Sequence, residues 1–593
     1  MLLFFARIKN LFVEHWFIGV TGAFLAFLII FPVIIFPLAT KDTYQKINLA
    51  RFPSDAQIYM VRVKEVAEKK PLGNTLLREG KDKEDLYFMY GEKILLAPFT
   101  ILGISQNIDV VLLIHIYTFF IVWAIIILMY AVVYQLSGDR RLSALTALFI
   151  VGGYHIVYNK TLFYSDYNMY GRTMIPFTSF FFFFIYLNAL VRSFITRKRI
   201  AILFAAITFG IIFYIYFFAW TFALALNGIL FLICLYRRDW QFVKHIVLIT
   251  GVGLLLGSYQ LFTMSKFFLS PAGEQADYYH WSSHTRQPIF SKIGAVSLAL
   301  WFFIFIILKK VNKHQWLLLG IILTGWVALN QQVITGKSLQ IGHYYWYFIV
   351  PLGIIVNFYL LWQFVAKERA RELLLAGVTL VVFLNTAVGQ YRSFLPSIGP
   401  TQDIQEYRPI LDILNTVPEQ SVVLANDNYS GYLITIYTNH DLFWHSDSAL
   451  TNTPLERFEE GFFVFHYLNK NFRDNIEESV HKYMVGKIEG SYYKTQYKQI
   501  EGYRSGFDYY DYLRRIAIND PELLERRKVI LGDLVEKYKK INNPEGIISI
   551  LKKYGTNYIV WDRAAHPEWD LSFIANKKLI YTHNNLFLYQ IIY

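Results

Sequence analysis

Charge is scarce in this sequence. Only 17% of its 593 residues are Asp, Glu, Lys or Arg, against 55% that are hydrophobic. A soluble chain carries about 25% charged residues, so a single water-soluble domain is excluded and a membrane is the natural solvent. Cysteine is nearly absent too. The one Cys234 lies inside an apolar run, which forbids an intrachain disulfide, gives it a packing role and leaves the compartment unreadable from cysteine. Walker loop, dinucleotide-binding glycine fingerprint, HExxH and GxSxG are all missing, and nucleotide-driven transport therefore has no support. The chain shows no solenoid-period repeat and no inverted repeat of the kind many transporters carry.

Aromatic residues are abundant, with 43 Tyr, 51 Phe and 13 Trp. Such rings suit lipid-facing helices, headgroup-level belts and loops that line a wet cavity. The net charge of +13 comes in small clusters between apolar runs, a pattern that reports topology and not a nucleic-acid partner. Eleven apolar runs approach the roughly 20 residues needed to span hydrocarbon: 17–40, 108–135, 142–158, 174–195, 200–218, 221–236, 246–264, 292–309, 316–330, 344–365 and 373–390. The first exceeds a signal h-region and is expected to be an uncleaved helix.

Alternate loops carry Arg140 and Arg141; Arg197, Lys198 and Arg199; Arg237, Arg238 and Lys244; Lys309, Lys310 and Lys313; and Lys367, Arg369 and Arg371. The positive-inside rule puts all five, with the N-terminus, in the cytoplasm of a multi-pass inner or plasma membrane protein. The expected architecture is a polytopic α-helical membrane protein with about 11 transmembrane helices over 1–390, including a long first external loop at 41–93. A soluble extracytoplasmic α/β domain follows over 391–593, with strands at 421–428, 554–562 and 585–591 and helices at 454–470 and 521–540. Residues 94–104, apolar but too short to span, read as an interfacial or re-entrant helix.

Chemistry-bearing residues gather in four external loops. In the first, SDAQIYMVRVKEVAEKK from Ser54 reads as an amphipathic helix lying on the membrane surface, with Tyr59, Val63 and Val66 on one face and Arg62, Lys64, Glu65 and Lys69 turned elsewhere. Asp55 at its start is a candidate general base for an incoming hydroxyl, although the spacing alone favours a residue that helps cap the helix and suits its dipole. The second loop sets Asp166 and Arg172 among Tyr164, Tyr167 and Tyr170, as sugar or headgroup recognition requires and as an aromatic belt would also produce. The third holds Lys266, Asp277, His280, His284 and Arg286, of which the cations Lys266 and Arg286 suit a lipid-linked phosphate; His280 and His284 have helical metal-ligand spacing but lack a third partner. The fourth, NQQVITGKSLQIGHYYWYF from Asn330, places Gln332, Lys337, Gln340 and His343 between two apolar spans, where polarity is costly unless it lines a cavity.

Asp55 followed by Tyr59, the segments PLGNTLLREGKDKED and NQQVITGKSLQIGHYYW, and the terminal KYGTNYIVWD with NNLFLYQI together resemble a bacterial branch of the C-type (GT-C) superfamily of membrane glycosyltransferases. Ala56 stands where many members carry Glu. The resemblance implies transfer from a polyprenyl-phosphate-linked sugar donor to a glycan, lipid or protein acceptor during cell-envelope assembly. It implies Asp55 as the base and external cations on the donor phosphate, for which position in the loops suggests Arg172, Lys266, Arg286, Lys337 and His343. Some members use a divalent metal, Mg or Mn, and others none. A lipid or glycan transporter and a non-catalytic scaffold are the competing expectations.

Overall fold

The computed structural model describes residues 2–49, 54–172, 174, 177–270, 273, 282–310, 314–484 and 492–593, without the side chains of 2–12, 54, 55, 282, 483, 484 and 492. Every apolar run forms helix. Among the described residues, eight helices are long and apolar enough to cross a membrane: Val13–Ala39, Val110–Ser137, Phe177–Thr196, Phe217–Tyr236, Trp240–Phe268, Gln315–Thr335, Ile341–Trp362 and a last one beginning at Glu368. The other three runs give shorter helices, Arg140–Gly152, Arg199–Ile212 and Lys292–Ile307. The protein is a polytopic helical membrane protein with a C-terminal domain built on a small sheet.

The charged loops order the bundle. Arg141 pairs with Glu368 and, at 2.9 Å, with Glu372, and Arg371 reaches Asp139 at 3.5 Å. Arg197 binds Asp239 at 2.6 Å, Arg237 lies 4.9 Å over the Trp316 ring and Lys310 4.5 Å over Phe364. Arg140 faces Glu14 of the first helix at 3.5 Å. Segments from all five basic loops and the start of the first helix thus form one end of the bundle. The polar loops and the C-terminal domain occupy the other.

The last span helix does not stop at Gln390 but runs on as Glu368–Asp403, leading directly into the C-terminal domain. That domain holds a sheet of order β4-β3-β5-β7-β6, from β3 (Val422–Leu424), β4 (Asp441–Leu442), β5 (Thr556–Asp562), β6 (Lys577–His583) and β7 (Leu586–Ile591). Strand β3 is parallel to β4 and β5, while β7 runs antiparallel to both β5 and β6. Successive side chains of a strand face opposite ways, and the sheet uses this to separate two cores. Val422, Leu424 and Ile559 pack with Trp444, Phe462 and Tyr538 beneath the domain's own helices. Val423, Tyr558 and Val560 belong to a core continuous with the membrane helices.

The long loop after the first span is the main departure from expectation. The helix Ser54–Ala67 does not lie on a surface: Ala56, Ile58, Met60, Arg62 and Glu65 are all buried. It is wedged among the Gly91–Ile101 helix, the Val110–Ser137 span and the domain helix Asn428–Tyr437. Its buried charges Arg62 and Glu65 find partners from elsewhere in the chain, while Lys64 pairs locally with Glu68. Arg62 binds Asp85 at 2.7 Å and Glu92 at 2.6 Å, and Lys81 bridges Glu65 at 2.8 Å and Asp441 at 2.9 Å. The rest of the loop is stitched to the domain, with the Leu442 amide donating to Leu76 at 2.8 Å, Asn74 to Thr453 at 2.9 Å and Arg457 to Glu79 at 3.0 Å. Gly80 is required in this seam, since φ is +85° and a Cβ would stand 2.1 Å from the Asn452 carbonyl oxygen.

Candidate functional site

Between the bundle and the C-terminal domain lies a cavity of about 1140 Å³. Its walls are mostly rings, drawn from five parts of the chain and more. The first loop contributes Gln57, Tyr59 and Tyr87, and the second contributes Asp166, Tyr167 and Arg172. The start of the Ile341–Trp362 helix adds His343, Trp346 and Tyr347, and Tyr216 comes from the turn before Phe217–Tyr236. Tyr429, Tyr432, Ser446 and Asp447 close it from the domain. Aromatic faces with a few fixed polar groups are what sugar and lipid-headgroup sites require.

Arg62 organises the first-loop wall. It forks both η-nitrogens onto Asp85, at 2.8 and 2.7 Å, and its ε-nitrogen onto Glu92. Burial by itself would lower Arg62, and the two carboxylates overturn this, holding it firmly charged. The guanidinium lies 4.5 Å over the Tyr87 ring, and Tyr59 meets the same ring edge-on with centroids 6.1 Å apart. Burial raises both phenols, so each keeps its proton and can donate it in a hydrogen bond.

The opposing wall centres on His343. Its Nδ1 shares a hydrogen bond with the Tyr216 hydroxyl, and its ring stacks on Tyr347 at 4.9 Å and 19°. Arg172 stands within electrostatic reach of His343, Tyr216 and Tyr347. Tyr167, beside it on the loop, is pinned through its hydroxyl to the Ser393 carbonyl at 3.2 Å and Ser397 at 3.0 Å on the extended last helix.

Of the residues singled out from sequence, Tyr59, Asp166, Tyr167, Arg172, Gln340 and His343 line the cavity, Asp166 as an exposed residue. Asp55 heads the Ser54–Ala67 helix one turn before Tyr59, and its side chain lies outside the described residues. Lys266, Arg286, Gln332 and Lys337 are not in the lining. Lys266 is exposed on the outer end of Trp240–Phe268. Arg286 donates to the Val333 and Ile334 carbonyls at 2.9 and 2.8 Å, clamping the hairpin, and Gln332 is buried with its amide on the Gln287 carbonyl at 3.0 Å. Lys337 opens β2 (Lys337–Leu339), which pairs antiparallel with β1 (Ser282–His284). The backbone groups of a turn and its flanking strand need partners, and these side chains supply or frame them. Tyr170 is buried against Phe180 at 4.9 Å, a core role.

Tyr87, Tyr216, Tyr432 and Asp447 did not emerge from the sequence. Each is a single residue in an unremarkable stretch, and only the fold gathers them. For a divalent metal, no group of three or more His, Cys, Asp or Glu converges among the described residues. His284 is engaged by Asp508 at 2.8 Å, while Asp277 and His280 lie outside the described residues.

The fold and site define a class: a polytopic membrane protein whose polar loops and C-terminal domain enclose an aromatic cavity. No family model and no curated protein matches the chain. Among solved structures it is similar to "Crystal Structure of ArnT from Cupriavidus metallidurans bound to Undecaprenyl phosphate", at 12% identity and a TM-score of 0.39, over 69% of this chain and 85% of that one.

Proposed function

We propose that the protein is a membrane glycosyltransferase that moves a sugar from a polyprenyl-phosphate-linked donor to a glycan, lipid or protein acceptor within this cavity. One observation carries the proposal: a space of about 1140 Å³ walled by tyrosine and tryptophan rings, with a guanidinium beside it, at the end of the bundle away from the basic loops. By the positive-inside rule that end is extracytoplasmic, and the N-terminus is cytoplasmic.

In this reading Arg172 takes the donor phosphate, because its planar fork matches phosphate oxygens, and His343 with Tyr216 supports the same wall. The acceptor hydroxyl attacks the anomeric carbon and its proton passes to the Asp55 carboxylate. The bond from that carbon to the phosphate oxygen breaks, and the phosphate leaves with the electron pair onto Arg172. Preorganised cations of this kind act where charge develops.

Arg172→Ala is expected to weaken decaprenyl phosphate binding by about 10- to 100-fold, from the 1.5–3 kcal/mol of a hydrogen bond to a charged group. Thermal shift of the protein in lipid nanodiscs, titrated with decaprenyl phosphate, measures it. Affinity equal to wild type removes Arg172 from the phosphate site.

A further inference from the structure

The C-terminal domain does more than roof the cavity. Asp447 reaches it from a short segment, Ser446–Leu450, fixed on every side. The Asp447 amide donates to His445 Nδ1 at 3.0 Å, which leaves the proton on Nε2 to donate to the Asn428 carbonyl at 2.9 Å. Burial lowers His445 below the usual imidazole value, so the ring is neutral and this tautomer is the one the two contacts require. The Ser446 amide donates to Asn428 Oδ1 at 3.0 Å, and Gln499 donates to the Ser446 carbonyl at 2.6 Å. The close approach of His445 to the Asn428–Tyr437 helix depends on Gly431, where a Cβ would meet the imidazole at 2.9 Å.

The carboxylate itself is held but not saturated. The Tyr432 hydroxyl donates to Oδ2, and Ser446 Oγ to Oδ1 at 3.3 Å. A carboxylate offers about four acceptor positions, so two remain for a ligand. Tyr429 and Tyr432 line the cavity beside Asp447 on the domain side, and Tyr59 and Tyr87 face them from the first loop. Tyr59 and Tyr87 also stand within electrostatic reach of Tyr432. A rigid carboxylate among ring faces accepts paired hydroxyls while a ring covers the apolar side of a pyranose.

We propose that Asp447, oriented by Tyr432 and His445, is a sugar-hydroxyl subsite of the cavity, so that the C-terminal domain selects the pyranose ring. The inference rests on the glycosyltransferase reading and deepens it. The ring is either that of the donor or that of a glycan acceptor, since both present vicinal hydroxyls.

Saturation-transfer NMR on the full chain in nanodiscs, with methyl glycosides of glucose, galactose and mannose as probes, tests it. Wild type is expected to show ring-proton contacts that fall at least tenfold in Asp447→Asn. Decaprenyl phosphate binding should persist in that variant. A second arm compares decaprenyl-phosphate-linked glucose, galactose and mannose with decaprenyl phosphate. Loss of any affinity difference in Asp447→Asn assigns the subsite to the donor sugar, and its retention assigns it to the acceptor.

Contacts of equal strength in the variant, or none in wild type, overturn the subsite. If Asp447→Asn does not fold, Tyr432→Phe decides: it keeps the carboxylate, loses one restraint, and should weaken the contacts severalfold, whereas unchanged contacts overturn the proposal. Failure of wild type to bind decaprenyl phosphate is a separate result, and it strikes the glycosyltransferase reading instead.

Discussion

Asp55→Asn is expected to cut sugar transfer by about 10²- to 10⁴-fold, the range a positioned general base supplies, while leaving the fold and decaprenyl phosphate binding intact. The frame of the helix argues for this size of effect. Gln57, Ile58 and Tyr59 all line the cavity, and Asp55 begins the same helix one turn before Tyr59. That helix is buried among three others, so its first turn is held in place. The amide is nearly isosteric with the carboxylate but cannot take a proton, and Asp55→Glu should recover part of the rate. Initial rates at saturating donor, beside thermal unfolding of each variant, give the comparison. Full activity in Asp55→Asn removes the proposed base.

Arg62→Met is expected to destabilise the protein by about 3–5 kcal/mol, the cost of breaking a buried ion pair from one side. Arg62 is 1% exposed and Glu92 0%, so the loss leaves two carboxylates with no cation in a protected place. The change also removes the support of Tyr87, and with it one wall of the cavity. Arg62→Met combined with Asp85→Asn and Glu92→Gln should regain most of the stability, because the uncompensated charge is gone. Melting temperatures of the single and triple variants in nanodiscs separate the two cases. A single variant as stable as wild type contradicts the assigned role of this ion cluster.

The membrane architecture was legible because hydrophobic length and loop charge are local properties. The runs at 142–158, 200–218 and 292–309 did become helices, though shorter ones than the apolarity suggests. In the domain, SVVLANDN, YGTNYIVWD and NLFLYQI became β3, β5 and β7, since buried strands keep apolar residues in unbroken runs. Strand β6 escaped notice because KKLIYTH puts lysines and a histidine on an exposed edge, a common protection against further pairing.

The first-loop helix was misplaced for a different reason. Arg62 and Glu65 are polar in sequence, and nothing local says that Asp85, Glu92 and Lys81 will neutralise them in the interior. The site was legible in part by the same logic. Arg172 and His343 stood out as polar groups beside apolar spans, whereas Asp447 is one carboxylate in a polar turn whose partners across the cavity, Tyr59 and Tyr87, lie in the distant first loop.

The most direct measurement follows the glycosyl bond itself. Purified protein in nanodiscs is given decaprenyl phosphate carrying a radiolabelled hexose, together with lipid and glycan acceptors, and the products are separated by phase partition. Transfer predicts label leaving the polyprenyl lipid in step with the appearance of free decaprenyl phosphate, at rates that collapse in Asp55→Asn and Arg172→Ala. Label that crosses the bilayer still bonded to its lipid, with no decaprenyl phosphate released, would contradict the account and identify a transporter.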